Sequence, residues 1–390
     1  MAALKYKSTV NQSRIAVLGM FFINGALMAT WISRIPQIQD TLGLSEGQLG
    51  IVLLGLSAGV LTALSLAGGL VARYGSRRVT VTAAFVLALL LISLPWMPTS
   101  VALWINLFGF GMALSTMDVA MNAQAVEVEA QAGRPLMSTF HAFWSIGGFV
   151  SAAIGAGMAS FNIDPQPHFV IGALLFGSMI FIFRRHLLFN VASEEADEHE
   201  QVFRLPPRAL WPLGIVAFAG AIGEGSMADW SGVYLSDIVH TDDATAALGF
   251  TAFSITMTIG RLSGDWLAAR FSPARLVQFG GLIATAGLLL AIFMPTVTTA
   301  LIGFAAVGLG VSTVVPLAFS AAGRVPGISA SVGIASVATI GYAGFLAGPP
   351  IIGLVAEATS LQVAFLLFVA TLTATLVVTG RQLNKSASLK

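Results

Sequence analysis

No cysteine occurs among the 390 residues, which excludes a disulfide, a thiol nucleophile and any cysteine-based metal site. Charge is almost as scarce. Asp, Glu, Lys and Arg together make up 9% of the chain, against roughly 25% in an ordinary soluble domain. The four lysines (Lys5, Lys7, Lys385, Lys390) all lie near the ends, so no Walker lysine is present in the body of the chain and ATP hydrolysis through a P-loop is excluded. A net charge of +1 gives no reason to expect a nucleic acid or other polyanionic partner. There is no H-E-x-x-H pair or other metal motif, so neither a metal site nor an enzyme is expected.

What the chain has in abundance is apolar surface and small residues. Hydrophobic residues make up 56% and glycine 41 positions of 390, a composition suited to helices that pack closely in lipid. A span needs about 20 mostly apolar residues. Twelve such runs can be read, near 14–33, 47–71, 79–95, 101–124, 138–160, 168–188, 209–235, 246–269, 275–294, 298–322, 330–356 and 361–380. The first follows Lys5, Lys7 and Arg14 as a signal peptide would, but it is too long and lacks a small-residue cleavage site, so it reads as a retained helix. The fold class expected is an all-α membrane protein of twelve spans.

The basic residues set the orientation. With the N-terminus in the cytoplasm, 17 of the 19 Lys and Arg fall on the cytoplasmic side, the exceptions being Arg34 at the outer end of the first span and Arg261 within the eighth. This is the positive-inside rule for an even number of spans with both termini cytoplasmic.

The chain also repeats itself. Trp31 of "NGALMATW" is followed 42 residues later by Arg73 of "ARYGSRRV", and Trp230 of "GEGSMADW" is followed 40 residues later by Arg270 of "ARFSPARL". Two six-helix bundles are expected, 1–189 and 208–390, joined by a solvated tether at 190–207 that contains "SEEADEHE". Such duplication is the arrangement in which a substrate site forms near the midplane between halves.

Six plus six helices with a Gly/Arg loop between the second and third resembles the major facilitator superfamily over essentially the whole chain. The superfamily's loop pattern is G-x-x-x-D-R-x-G-x-R-R. Here Gly68, Arg73, Gly75, Arg77 and Arg78 match it, with Ala72 in place of the acid, and Ala269 precedes Arg270 in the second copy. The missing acid puts the usual charge latch in question and leaves the fold reading intact. "MDVAMN" (117–122), "GEGSMADW" (223–230) and "GYAGFLAGPPIIG" (341–353) resemble the fucose permease-like and MosC-like branch of bacterial inner-membrane transporters. The fifth run lacks the Gly-Pro signature of the superfamily's drug/proton antiporters. In the fucose permeases a Glu-x-Ala-x-Asn pattern lines the cavity, and Asp118, Ala120 and Asn122 match its spacing with a shorter acid.

A charge at mid-bilayer costs about 2.5 to 3.5 kcal/mol on insertion scales, so each intramembrane acid asks for a role. Asp118 and Asn122, four apart with Ser115 a turn earlier, form a polar stripe on one helix face. Asp118 reads as a substrate or proton site, or else as a tether between helices. Glu224 and Asp229 are five apart, about 140° around a helix, so they do not form one paired site. Glu224, about 15 residues into its span, is expected to face the cavity and titrate, or to make a buried structural hydrogen bond. Gly223 and Gly225 beside it suggest a broken helix. Asp229, beside an interfacial Trp230, is expected to join an outer gate by pairing with Arg34. Asn24, next to the Gly25 that corresponds to Glu224, is the uncharged cavity residue of the first half. Arg261 and Asp265, at i and i+4, suggest a local salt bridge with an inner-gate or structural role, or else contact with substrate, and the loop arginines Arg73, Arg77 and Arg78 are read as gate residues. His141, with Ser138 and Ser145 at helical spacing, is either structural or a proton relay. Trp144, Tyr342 and Phe143 could stack on a ring-shaped solute.

The function expected is a secondary transporter of a small polar solute, a sugar or sugar-like compound as the resemblance implies, working by alternating access as a monomer with the proton as coupling ion and no cofactor. Export of similar solutes is the alternative reading. A non-transporting sensor would be expected to carry an added soluble domain or long tail, and none is read here.

Overall fold

The computed structural model describes residues 2–133, 136–189, 207–322, 325, 328 and 330–387, and the acidic tether lies outside them. Among the described residues all regular structure is helical, as the bilayer requires when each backbone N–H and C=O must be satisfied inside its own segment. The helices are α1 (Ala2–Ile32), α2 (Ile35–Leu42), α3 (Glu46–Tyr74), α4 (Ser76–Ser93), α5 (Ser100–Ala132), α6 (Met137–Ser160), α7 (Pro165–Phe183), α8 (Trp211–Asp237), α9 (Asp243–Arg270), α10 (Pro273–Phe293), α11 (Val297–Val311), α12 (Val314–Ala322), α13 (Ala330–Ala358) and α14 (Leu361–Ala387). Ten described segments are long and apolar enough to cross a membrane. The remaining two of the twelve runs fall on α9, interrupted by Arg261 and Asp265, and on α14, whose described apolar stretch is Leu361–Thr373.

Three departures from the expected runs have local causes. The first run continues past a two-residue turn at Ser33 and Arg34 into the short α2, where Pro36 occupies the first turn, a position that needs no N–H. The tenth run breaks at Ser312 and Thr313 into α11 and α12. α5 runs eight residues beyond 124 to Ala132, ending on Gly133 in the left-handed conformation at φ 63°. That extension carries Glu129, whose Oε2 accepts the backbone N–H of Leu136 at 2.5 Å and of Met137 at 2.8 Å, capping the start of α6. Other starts are capped in the same way: Thr99 accepts from the Ala102 N–H at 3.2 Å and Asp242 from the Thr245 N–H at 2.8 Å.

The chain divides into two compact units, one comprising Met1–Leu42 with Gly55–Val202 and the other Gly43–Leu54 with Phe203–Lys390. The first turns of α3 therefore pack with the second unit, where Ser45 Oγ donates to Glu357 Oε1 at 3.1 Å. In the first unit α1 lies chiefly on α6. A Cβ on Gly25 would come within 2.1 Å of the Trp144 carbonyl oxygen, and one on Gly147 within 2.1 Å of that of Phe22. Only glycine permits two backbones to approach this closely. In the second unit α8 is held against α13, α9 and α14. Tyr234 of α8 stacks on Phe365 at 5.3 Å and donates its hydroxyl to the Ala291 carbonyl at 2.7 Å.

Candidate functional site

The two tryptophans of the repeat are equivalent in setting: Trp31 is 1% and Trp230 0% exposed. Trp230 is thus a core residue of the second unit and not the interfacial anchor expected from its place near a span end. The apolar ring has more to gain from the helix packing around it than its single N–H loses.

In the first unit three polar clusters lie on α1, α5, α6 and α7. Asn24, buried in α1, donates to the Leu114 carbonyl of α5 at 3.2 Å and accepts the indole N–H of Trp144 of α6 at 2.9 Å. One amide thereby joins three helices and fixes the plane of the Trp144 ring. On α5 the Asn122 amide donates both to the Asp118 backbone carbonyl, at 2.9 Å, and to its Oδ1, at 3.1 Å. Asp118 is half-buried, has no other hydrogen-bond partner and meets no cation among the described residues. Ser115, a turn away, is buried, and its hydroxyl makes no hydrogen bond among the described residues. His141 is exposed on α6, its ring edge-on to Phe21 at 5.2 Å, and its backbone carbonyl accepts from Ser145 at 3.3 Å; the side chain of Ser138 lies outside the described residues. Phe143 and Trp144 are half-buried on the same helix.

Arg34 occupies the turn between α1 and α2 and is fully buried. Its Nε donates to His168 Nδ1 at 3.0 Å, one Nη to the Ile163 carbonyl at 3.0 Å and the other to Gln37 Oε1. Because His168 Nδ1 accepts, the ring is the neutral tautomer with its hydrogen on Nε2. The guanidinium therefore ties the turn after α1 to the start of α7, through a histidine that the sequence reading passed over. A single polar ring just after Pro165 and Pro167, in an otherwise apolar run, was the available signal. The partner expected for Arg34 was Asp229, which is half-buried on α8 and has no hydrogen bond or ion pair among the described residues.

In the second unit Glu224 of α8 and Arg261 of α9 form an ion pair, one guanidinium nitrogen lying 3.0 and 2.9 Å from the two carboxylate oxygens. Both side chains keep a little under a fifth of their surface accessible, 18% and 19%. Arg261, read from spacing with Asp265, lies nine residues before the end of α9, about 14 Å along the helix, and its long side chain meets Glu224. The side chain of Asp265 is outside the described residues. The expected break at Gly223 and Gly225 is also corrected: α8 is continuous. These glycines instead make room for aromatic rings, since a Cβ on Gly223 would meet Phe368 Cζ at 2.7 Å and one on Gly225 would meet Phe345 Cδ1 at 3.2 Å. Tyr342 is half-buried on α13, its ring 6.5 Å from that of Phe345.

The loop arginines make ring contacts. Arg73 lies over Tyr74 at 5.3 Å and Arg77 over Phe189 at 3.8 Å, while Arg78 is exposed. Among the described residues no carboxylate pairs with any of the three, as the Ala72 substitution implies.

Comparison with known proteins agrees with this architecture. Residues 16–329 match the family model of the Major Facilitator Superfamily. An uncharacterised MFS-type transporter of Yersinia pestis is 37% identical over 346 residues, 88% of this chain and 89% of that one. The membrane protein MosC of Rhizobium meliloti is 34% identical over 359 residues, 91% and 86% of the two chains. Among solved structures, the nucleoside transporter NupG aligns with a TM-score of 0.70 at 15% identity, covering 94% of this chain and 98% of that one. The Escherichia coli fucose:proton symporter aligns with a TM-score of 0.64 at 17% identity, covering 94% and 97%. With helices, repeat and relatives in accord, the chain belongs to the Major Facilitator Superfamily and is a multi-pass membrane transporter, not an enzyme.

Proposed function

We propose that this transporter imports a small hydroxylated solute, a sugar or sugar-like compound, in symport with protons by alternating access, in a bacterial inner membrane with both termini cytoplasmic. The observation that carries the reading is the state of Asp118: an intramembrane carboxylate held only by the amide of Asn122, with no cation beside it among the described residues. An acid in that setting can take up a proton without breaking an ion pair, and the Asn122 amide can follow it by turning its oxygen toward the new O–H. Trp144, half-buried and held in plane by the buried Asn24 amide, offers an indole face against which a hydroxylated ring can lie. In the second unit the Glu224–Arg261 pair presents an acceptor and donors within one partly accessible cluster. The fold is shared with a fucose:proton symporter and a nucleoside transporter, and fucose and nucleosides are both hydroxylated ring compounds.

The test begins with thermal stabilisation of the purified chain across sugars, polyols, nucleosides and amino acids. A ligand at one hundred times its Kd stabilises by about 2.7 kcal/mol. A sugar or polyol that stabilises the protein should also alkalinise the medium when added to cells expressing it. Stabilisation confined to amino acids, or sugar entry with no proton movement, would refute the proposal.

A further inference from the structure

Where α4 begins and α7 ends, four arginines converge on one half-open cavity of about 370 Å³, lined by Arg77, Arg78, Arg184 and Arg185 with Val81 and Thr82. No acid lines it, and none of the four arginines has an ion-pair partner among the described residues. Two of the guanidiniums are immobilised by rings, Arg77 over Phe189 at 3.8 Å and Arg184 over Phe181 at 5.0 Å, which leaves their in-plane N–H groups for an acceptor. Arg77 Nη1 is buried with no hydrogen-bond partner among the described residues. The site also receives the positive end of α4, whose first residue follows Gly75 with no side-chain cap. Arg77 and Arg78 stand at the positive end of their own helix and Arg184 and Arg185 at the end of α7; four like charges so gathered repel one another unless an anion sits among them, and the fork of arginine matches phosphate oxygens.

A second cavity opens from the first. It shares Arg78 and Thr82, encloses about 600 Å³, and runs along an almost wholly apolar wall that includes Leu70, Tyr74, Val86, Leu90 and Met112. At Gly55 and Gly59 of α3 an added Cβ would strike the carbonyl oxygens of Trp104 and Phe108 of α5, at 2.6 and 2.0 Å, so the two helices touch there. Toward the arginine-bearing end Val71 of α3 stays packed with Val79 of α4 and Ala120 of α5. The groove runs beside these contacts, walled by Leu70 and Tyr74 of α3, by α4, and by Gly109, Met112 and Thr116 of α5. From Thr82 to Leu90 it follows α4 for about 12 Å at 1.5 Å per residue.

We infer that this composite site binds one anionic phospholipid, its phosphate among Arg77, Arg78, Arg184 and Arg185 and an acyl chain in the groove between α3, α4 and α5. Basic pockets between transmembrane helices are a recognised seat for anionic headgroups. A free phosphate would use the arginines alone, whereas the groove that continues from Arg78 answers to the chain of a lipid. The arginines that follow Gly75, read from sequence as part of a gate, thereby gain a ligand that replaces the missing acid at Ala72 as their counter-charge.

The experiment titrates the full chain in detergent with dioleoyl phosphatidylglycerol, dioleoyl phosphatidylcholine and inorganic phosphate, following thermal stabilisation and native mass spectra. Phosphatidylglycerol should bind one per chain and stabilise, and neither of the other two should match it at equal concentration. Each basic residue at an anionic surface contributes about a factor of five, so the exposed pair Arg78→Gln/Arg185→Gln should weaken phosphatidylglycerol binding roughly 25-fold. Arg275→Gln, an exposed arginine of the second unit, should leave it unchanged. Val86→Glu, which puts a charge in the groove, should weaken phosphatidylglycerol in a chain that still melts as the wild type does. Stabilisation by inorganic phosphate equal to that by phosphatidylglycerol, equal binding of the two lipids, or undiminished binding by the double variant would each overturn the inference.

Discussion

Replacing Glu224 by Gln keeps the shape of the side chain and removes its charge, which makes the Glu224–Arg261 pair the most quantitative part of the account. The guanidinium nitrogen lies 2.9 Å from one carboxylate oxygen and 3.0 Å from the other, with both side chains less than a fifth exposed. Exposed pairs contribute about 0.2 to 1 kcal/mol, while removing one partner of a buried pair costs about 3 to 5. At this burial the single variants Glu224→Gln and Arg261→Gln should each lose about 2 kcal/mol, within the range for hydrogen bonds to charged groups. The double variant should lose little more than either single, giving a coupling of about 1.5 to 2 kcal/mol, because either single already removes the contact between the two side chains. For a unit of this size each kcal/mol moves the melting temperature by about 2 to 4 °C, so the singles should fall by about 4 to 8 °C in detergent. Additive losses, with the double variant falling twice as far as either single, would mean the two side chains do not meet and would remove the ion pair from the site.

Three further outcomes follow from the hydrogen-bonding pattern. His168→Ala leaves the buried Arg34 Nε without its acceptor and should cost about 1 to 3 kcal/mol, read as a lower melting temperature; His168→Gln, whose carbonyl can accept in its place, should recover part of it. Asn24→Ala removes the acceptor of the Trp144 indole N–H and the side-chain donor to the Leu114 carbonyl, at a similar cost and with a shift in Trp144 fluorescence, and Asn24→Gln should be milder. Asp242→Ala removes the cap of α9 and should cost about 0.5 to 1 kcal/mol at pH 7. The Thr245 hydroxyl and backbone N–H hold the Asp242 carboxyl below its usual range. Its contribution is therefore present above that range and lost as pH falls through the lowered value, so the gap between variant and wild type should close below about pH 4 and not open.

Much of the fold was legible because apolar runs of spanning length, broken by arginines on one side, have few other readings; all twelve runs correspond to helices, and Trp31 and Trp230 mark the repeat. What could not be read was three-dimensional. Gly223 and Gly225 suggested a weakened helix, whereas α8 is continuous and the glycines accommodate Phe368 and Phe345 from other helices. Spacing could offer Arg261 only a neighbour on its own helix, Asp265, whose side chain lies outside the described residues; its contact with Glu224 on α8 could not be read from periodicity. Arg34 stood out as a lone outer arginine, but nothing in one dimension said that His168, 134 residues away, would face it. Asp118 with Asn122 was visible as a stripe because that contact is local, at i and i+4.

The central claim, that Asp118 carries the coupled proton, is tested most directly by paired counterflow and accumulation in reconstituted vesicles, using the solute found by thermal stabilisation. Asp118→Asn keeps an amide-sized group opposite Asn122 but cannot release a proton. It should exchange labelled solute at near the wild-type rate when both sides are loaded, yet fail to accumulate it under an inward proton gradient. Asp229→Asn, at an acid of α8 that likewise has no cation beside it among the described residues, should still accumulate solute. Accumulation by Asp118→Asn at the wild-type level, with its loss in Asp229→Asn, would contradict the account and move the proton to α8.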